Sequence, residues 1–276
     1  MTIPDIFPAD LFYSTFPADG SEPFLNMEIN PITGFPDSNV TLVPIQCEMT
    51  NIRGKEAEFG LDDAGFKYIK HKSSFTDFKN DEEIRRVYYK ESMEVIKEHT
   101  GARRVVIYDH TIRRHRPADE PETSIQRRPA LRVHVDQTPK AAVNRVRRHV
   151  PELAEELLKH RFQILNLWRP IGVPALDTPL AICDFRSINW DKDLVPTRLV
   201  YTDSVGETCS VAYNPTHKWR YVRGMTPEEA VLIKNADSKK GVARSAPHSA
   251  FTDPTTPKDA PPRESIELRA LVLYET

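Results

Sequence analysis

The chain of 276 residues is short of cysteine and glycine, has no long apolar run, and carries no excess of charge of either sign. Its three cysteines, Cys47, Cys183 and Cys209, are odd in number and widely spaced, which excludes a disulfide framework and a zinc knuckle. They are expected to be free core residues. No segment approaches the length of a membrane-spanning helix. The opening MTIPDIFPADLF lacks the basic and apolar blocks of a secretory leader. These absences point to a reducing, cytoplasmic setting. With 38 Lys and Arg against 40 Asp and Glu, the formal charge of −2 supplies no global field for nucleic acid or an anionic membrane. The basic cluster Arg113, Arg114, Arg127, Arg128, Arg145, Arg147 and Arg148 lacks an accompanying aromatic stripe. It reads as a solvated face or an attraction for small anions. With 23 Pro against 10 Gly, many strands joined by ordered loops fit better than a helical bundle.

The pattern along the chain supports this. Residues 1–40 read as an extended N-terminal arm and NVTLVPIQC as a strand. Residues from Asn80 to Gly101 show helical spacing, with an acidic first turn and a glycine stop. Ala102 to Arg113 reads as a strand, 114–128 as a polar loop, and Ala130 to Thr138 as an alternating strand. A helical insert over 140–160 follows. Strands are expected from Arg161 to Ile171, in PLAICDF, RLVYTD and TCSVAY, from Val231 to Asp237, and from Glu264 to Tyr274. Thr226-Pro227-Glu228-Glu229 has the form of a capping box and predicts one turn of helix. The sum is one α+β domain over 1–276 around a β-barrel core.

Chemistry concentrates in a few places. In His134-Val135-Asp136, alternation on a strand sends Arg132, His134 and Asp136 to one face and Leu131, Val133 and Val135 to the other. A histidine and a carboxylate converging inside a barrel are two parts of a facial triad, which leaves metal positions open. Alone, the pattern equally describes an exposed polar strand. His248, much later, offers the third ligand, although by itself it is an ordinary loop histidine. Arg263-Glu264-Ser265 opens the last strand with an arginine fork and a hydroxyl on one face, which suits a carboxylate. Arg269 shares that face deeper along the strand and is the alternative anchor. His217, ahead of Trp219, is a rival third ligand, and otherwise lines the pocket with Trp219. Asn166, Trp168 and Arg169 are candidate substrate contacts, or else a packed Trp with paired polar neighbours.

With these motifs on the page, the chain resembles the fungal hydroxylase/desaturase group of iron(II)- and 2-oxoglutarate-dependent oxygenases, which includes gibberellin desaturase-like enzymes, and it is similar to the cephalosporin 7α-methoxylase component. The resemblance rests on YDHTIRR, VHVDQTP, NLWRPI, PLAICD, HKWRY, IKNADS, APHSAF and PRESIELRAL, from about Val40 to the C-terminus. It implies a double-stranded β-helix (jelly-roll, cupin-like) with flanking helices. It also implies Fe(II) on His134, Asp136 and His248, 2-oxoglutarate on Arg263 and Ser265, and O2 as oxidant. The expected reaction is hydroxylation, desaturation or oxidative cyclisation at an unactivated C–H bond of a small fungal secondary metabolite. No catalytic residue is expected beyond the metal centre, and no nucleic-acid or membrane partner. A homodimer or heterodimer is compatible with the sequence. The other readings are a non-catalytic partner subunit of a heteromeric oxygenase, against which the intact triad argues, and a metal-dependent cupin-like dioxygenase without 2-oxoglutarate, against which Arg263-x-Ser265 argues.

Overall fold

The computed structural model describes residues 3–30, 32, 36–114 and 126–274. Residues 115–125, within the loop expected over 114–128, and residues 1, 2, 31 and 33–35 of the expected arm lie outside them. Two curled sheets face each other. The larger has ten strands, in spatial order Ile6–Thr15, Thr41–Asn51, Trp219–Tyr221, Leu180–Cys183, His248–Ala250, His134–Val135, Val205–Val211, Leu194–Val200, Phe24–Ile29 and Pro36–Ser38. The smaller has six: Phe66–Lys70, Glu229–Asp237, Phe162–Pro170, Glu264–Leu273, Arg104–Arg114 and Gln126–Arg127. Neighbours are mostly antiparallel and distant in sequence, giving the jelly-roll-like α+β core that the sequence suggests.

Alternation decides what each face of the smaller sheet does. On Glu264–Leu273, Ile266, Leu268, Ala270 and Val272 enter an outer core with Ile84, Tyr88, Val95 and Ile96 of the helical layer. Each buried Ile, Leu or Val among these contributes about 1.5–3 kcal/mol. Ser265, Glu267 and Arg269 face the other way, towards the larger sheet. The helical layer begins at Asn80, whose side chain accepts from the backbone N–H groups of Glu82 and Glu83. One π turn, Ile84–Tyr88, leads into the helix Tyr89–Thr100. Gly101, at φ 72°, ends it in the left-handed region that glycine enters without strain. The expected helical insert is the helix Pro139–His149, capped by Thr138, followed by the short turns Pro151–Leu153 and Ala154–Leu157.

Three expectations are corrected. The stretch read as an arm carries Ile6–Thr15, Phe24–Ile29 and Pro36–Ser38, all in the larger sheet. The long strand read from Ala130 to Thr138 keeps a ladder only at His134–Val135, because the Asp136 N–H donates to Asn235 Oδ1 rather than to a neighbouring strand. Thr226 to Glu229 makes the capping contacts, with Glu229 Oε2 accepting from the Thr226 N–H at 2.8 Å, yet forms a turn and no helix. There the chain runs straight into Glu229–Asp237, and pairing on both edges, with Phe66–Lys70 and Phe162–Pro170, overrides local propensity.

Candidate metal centre

His248 pairs with Ile182 on one side and with His134 on the other. Directly opposed residues of neighbouring strands share a face. Ile182 packs between the sheets with Trp168, Val231 and Ile233, so both histidines point into the barrel. Asp136 enters the same space just past the ladder. One ligand atom from each of His134, Asp136 and His248 lies within 4.8 Å of the others, and among the described residues this is the one such group of metal-ligating side chains.

The histidines are prepared in the same way. His134 Nδ1 donates to Arg132 O at 2.7 Å, and His248 Nδ1 donates to Ala246 O at 3.1 Å. A carbonyl only accepts, so each Nδ1 carries hydrogen and each Nε2 faces the centre. His248 Nε2 is buried without a partner. Burial pushes the His248 pKa down, which favours the neutral form a metal needs. Asp136 Oδ2 accepts from Asn166 Nδ2 at 2.8 Å and Arg269 Nε at 2.9 Å, while Oδ1 lies 3.3 Å from His134 Nε2. Burial opposes the Asp136 charge, but Arg269, followed by His134 and His248, holds its carboxyl well below the usual range.

Arg263 and Ser265 stand on the facing sheet beside this centre. Arg263 is 1% exposed and lies over the Trp168 ring at 5.6 Å. Its Nη1 donates to Thr178 O at 2.6 Å, but Nε has no partner, and neither does Ser265 Oγ. Burial, with Arg113 nearby, pushes the Arg263 guanidinium down to about 9. A buried cation and a buried hydroxyl without an acceptor form a receptor for an anion. His134, His248, Trp168, Arg263 and Glu267 line a shared void of about 20 Å³, room for about one or two waters. Arg269, the alternative anchor, is fully engaged by Asp136, Asp109, Thr111 and Glu267.

Of the tentative substrate contacts, Asn166 and Trp168 are inside, Asn166 on the Asp136 carboxylate and Trp168 under Arg263. Arg169 is not in this pocket. It follows Trp168 on the same strand, so the pleat turns it outward, where it donates to His71 O at 3.1 Å and lies over Tyr88. His217 and Trp219 are also elsewhere. Trp219 pairs with Cys183 on the outer face of the larger sheet, and its Nε1 donates to Tyr13 Oη at 2.9 Å. Tyr13 Oη in turn donates to His217 Nδ1 at 2.8 Å, and His217 Nε2 donates to Asp193 Oδ2 at 2.9 Å. Sequence reasoning missed Asn235 and Glu267 as neighbours of the centre. Glu267 was signalled by its alternation with Ser265 and Arg269, whereas nothing local marked Asn235. The three cysteines are free and buried, as expected.

Of two larger cavities, only one touches this centre. One of about 580 Å³ opens beside Asp136, between the helix Pro139–His149 and the strands Leu194–Val200 and Val205–Val211. One of about 980 Å³ lies against Phe59, Asp62, Tyr68, His99 and Tyr274, and shares no residue with the triad. Among the described residues no helix is long and apolar enough to cross a membrane.

A barrel with a buried His-Asp-His group and an anion receptor beside it defines a mononuclear non-haem oxygenase class. Comparison with known proteins agrees. A family model described as an oxidoreductase/YMDC permease-like domain matches residues 11–273. The hydroxylase/desaturase efuI of Hormonema carpetanum is 37% identical over 249 residues, covering 82% of this chain and 83% of that protein. The Fe(II)/2-oxoglutarate-dependent dioxygenase nvfI of Aspergillus novofumigatus is 32% identical over 263 residues, 93% of each. A solved structure of a variant of the iron and alpha-ketoglutarate-dependent endoperoxidase NvfI superposes with a TM-score of 0.90 at 26% identity, over 100% of both chains. The chain belongs to this oxidoreductase family, within the fungal hydroxylase/desaturase group of iron(II)- and 2-oxoglutarate-dependent oxygenases.

Proposed function

We propose that His134, Asp136 and His248 hold iron(II) through the two Nε2 atoms and Asp136 Oδ1, and that Arg263 with Ser265 receives the distal carboxylate of 2-oxoglutarate. The observation that carries this reading is that His248 and Arg263, whose Nε2 and Nε are buried without partners, line one void, with the unpartnered Ser265 Oγ two residues on from Arg263. When bound, iron(II), 2-oxoglutarate and O2 supply the oxidation that removes hydrogen from an unactivated C–H bond as the co-substrate is decarboxylated. The chain's own residues do the rest. Asn166 and Arg269 orient Asp136 by occupying Oδ2. The carbonyls of Arg132 and Ala246 fix both imidazoles. Trp168 backs the Arg263 guanidinium and excludes water from it. The void of about 20 Å³ is smaller than the co-substrate, so its lining side chains must give way on binding.

The substrate is a small fungal secondary metabolite, and the outcome is hydroxylation, desaturation or ring closure. The chain acts as a single oxygenase domain over 1–276 in the cytoplasm, as a monomer or dimer, without nucleic acid or membrane. Presence of all three ligand side chains favours a catalyst over a partner subunit, and the Arg263–Ser265 receptor favours use of 2-oxoglutarate.

The test is anaerobic titration of the full chain with iron(II) and then 2-oxoglutarate. A weak visible charge-transfer band is expected, abolished in His134→Ala and His248→Ala and right-shifted in 2-oxoglutarate concentration in Arg263→Ala. Bound iron without the band would remove 2-oxoglutarate from the reading. A chain that binds no iron would be a partner subunit.

A further inference from the structure

The cavity beside Asp136 has a charge character that the metal chemistry does not need. Asp136 itself forms part of its wall, so a molecule held there lies against the proposed iron. Its volume, about 580 Å³, suits a drug-sized ligand. Four cationic side chains face it: Lys140, Arg145, Arg148 and Arg198. Two are engaged by acids of the same wall, Lys140 by Glu207 at 3.7 Å and Arg198 by Glu22 at 3.4 Å. The remaining wall acid, Asp136, is held by Arg269, which also takes the neighbouring Asp109. Among the described residues, Arg145 and Arg148 face the cavity with no carboxylate partner.

Arg145 is the better placed of the two. It is half-buried, whereas Arg148, one turn on, is exposed. Its guanidinium lies over the Tyr108 ring at 5.2 Å, and that ring stacks on His149 with centroids 4.7 Å apart. The stack holds the fork in place while leaving its N–H groups without an acceptor. The Tyr108 hydroxyl is also buried without a partner. The wall therefore presents a pre-oriented guanidinium whose missing counterpart is a planar anion.

We propose that this cavity is the substrate site and that Arg145 recognises a carboxylate on the substrate, with Arg148 adding charge at the mouth. The proposal rests on the metal reading for the identity of the reacting wall, but the anion contact stands apart from iron chemistry. The substrate class is then an organic acid whose carboxylate docks on Arg145 while the remainder reaches towards Asp136. Position makes the site distinct from that of 2-oxoglutarate, whose distal carboxylate goes to Arg263 in a different cavity.

The test uses 1-naphthoate and its neutral methyl ester as probes, titrated by tryptophan fluorescence into the full chain. The chain is saturated with iron(II) and 2-oxoglutarate without oxygen, and the titration is repeated without either. Naphthoate is expected to bind about tenfold or more tightly than the ester. Arg145→Gln should abolish that preference and Arg145→Lys should keep part of it. Arg145 has no ion pair to lose, so both variants are expected to fold, with circular dichroism as the check. Arg148→Gln should reduce the preference less. Equal binding of the two probes, no binding of naphthoate, or a preference that survives Arg145→Gln would overturn the proposal. A preference lost only in Arg263→Gln would overturn it too, since the probe would then be in the co-substrate receptor. If the charge-transfer band fails but the Arg145-dependent preference persists in the metal-free chain, the metal reading falls and the anion site stands.

Discussion

Arg269 Nε and Asn166 Nδ2 converge on one oxygen of Asp136, at 2.9 and 2.8 Å. The two residues are themselves register partners on adjacent strands of the smaller sheet, so the clamp is built into the ladder. One carboxylate oxygen is thereby taken, and the other is left for a metal.

This clamp predicts that Arg269→Gln and Asn166→Ala each weaken metal affinity, by about 10- to 100-fold, the usual effect of removing an outer-shell partner. Arg269→Lys should fall between. Equilibrium dialysis with iron(II) or cobalt(II) is the measurement. Arg269→Gln should in addition destabilise the fold by roughly 3–5 kcal/mol, because Asp136, Asp109 and Glu267 lose a shared cation. Unchanged affinity in both variants would remove the clamp from the account.

Arg263 has the opposite energetic character. It is a fully buried cation, held down to about 9 and lacking an acidic partner at bonding distance among the described residues. Arg263→Met is expected to raise the melting temperature of the ligand-free chain, since it removes an uncompensated buried charge. In the same variant the stabilisation by 2-oxoglutarate should vanish, and the apparent 2-oxoglutarate affinity should fall by at least about tenfold. Thermal melts with and without 2-oxoglutarate read both effects. A lower ligand-free melting temperature would mean that the Thr178 contact outweighs the charge.

Acid should weaken the metal-free fold early. Burial is the chief cause that holds His110, His149 and His217 below the ordinary histidine value of 6.5. Each takes up its proton more readily in the unfolded chain than in the folded one. Their stabilisation is therefore complete above 6.5 and is lost as pH falls from there through each folded pKa. Urea midpoints at about pH 7.5 and about pH 5.5 should show the lower value at the acid side. Equal midpoints would contradict the assignment.

The clustering of His134, Asp136 and His248, with Arg263 and Ser265 nearby, was legible because the signals are periodic or ordered. His134 and Asp136 are two apart on one strand face, and Arg263 and Ser265 repeat that spacing after a late histidine. The α+β barrel was legible for the same reason, through many short alternating strands. What failed was position relative to the pleat and to the neighbours. Asn166, Trp168 and Arg169 were grouped because they are close in sequence, yet the step from Trp168 to Arg169 crosses the sheet. His217 and Trp219 were grouped with the pocket, whereas pairing of Trp219 with Cys183 turns them to the outer face. The N-terminal strands were missed because Ile6–Thr15 and Phe24–Ile29 owe their form to partners far along the chain, Thr41–Asn51 and Leu194–Val200.

Only Gln137 and Thr138 separate Asp136, the carboxylate of the candidate metal centre, from the helix Pro139–His149, and Thr138, its cap, is hydrogen-bonded to Glu207 on the neighbouring strand. The spacer therefore sets which helical face looks into the cavity, and one inserted residue would turn that face by about 100°. None of the helix residues on that face is a metal ligand. Their identities are free to drift while the oxidising centre stays as it is, which gives a single scaffold a way to diversify over many substrates by rewriting one short helix.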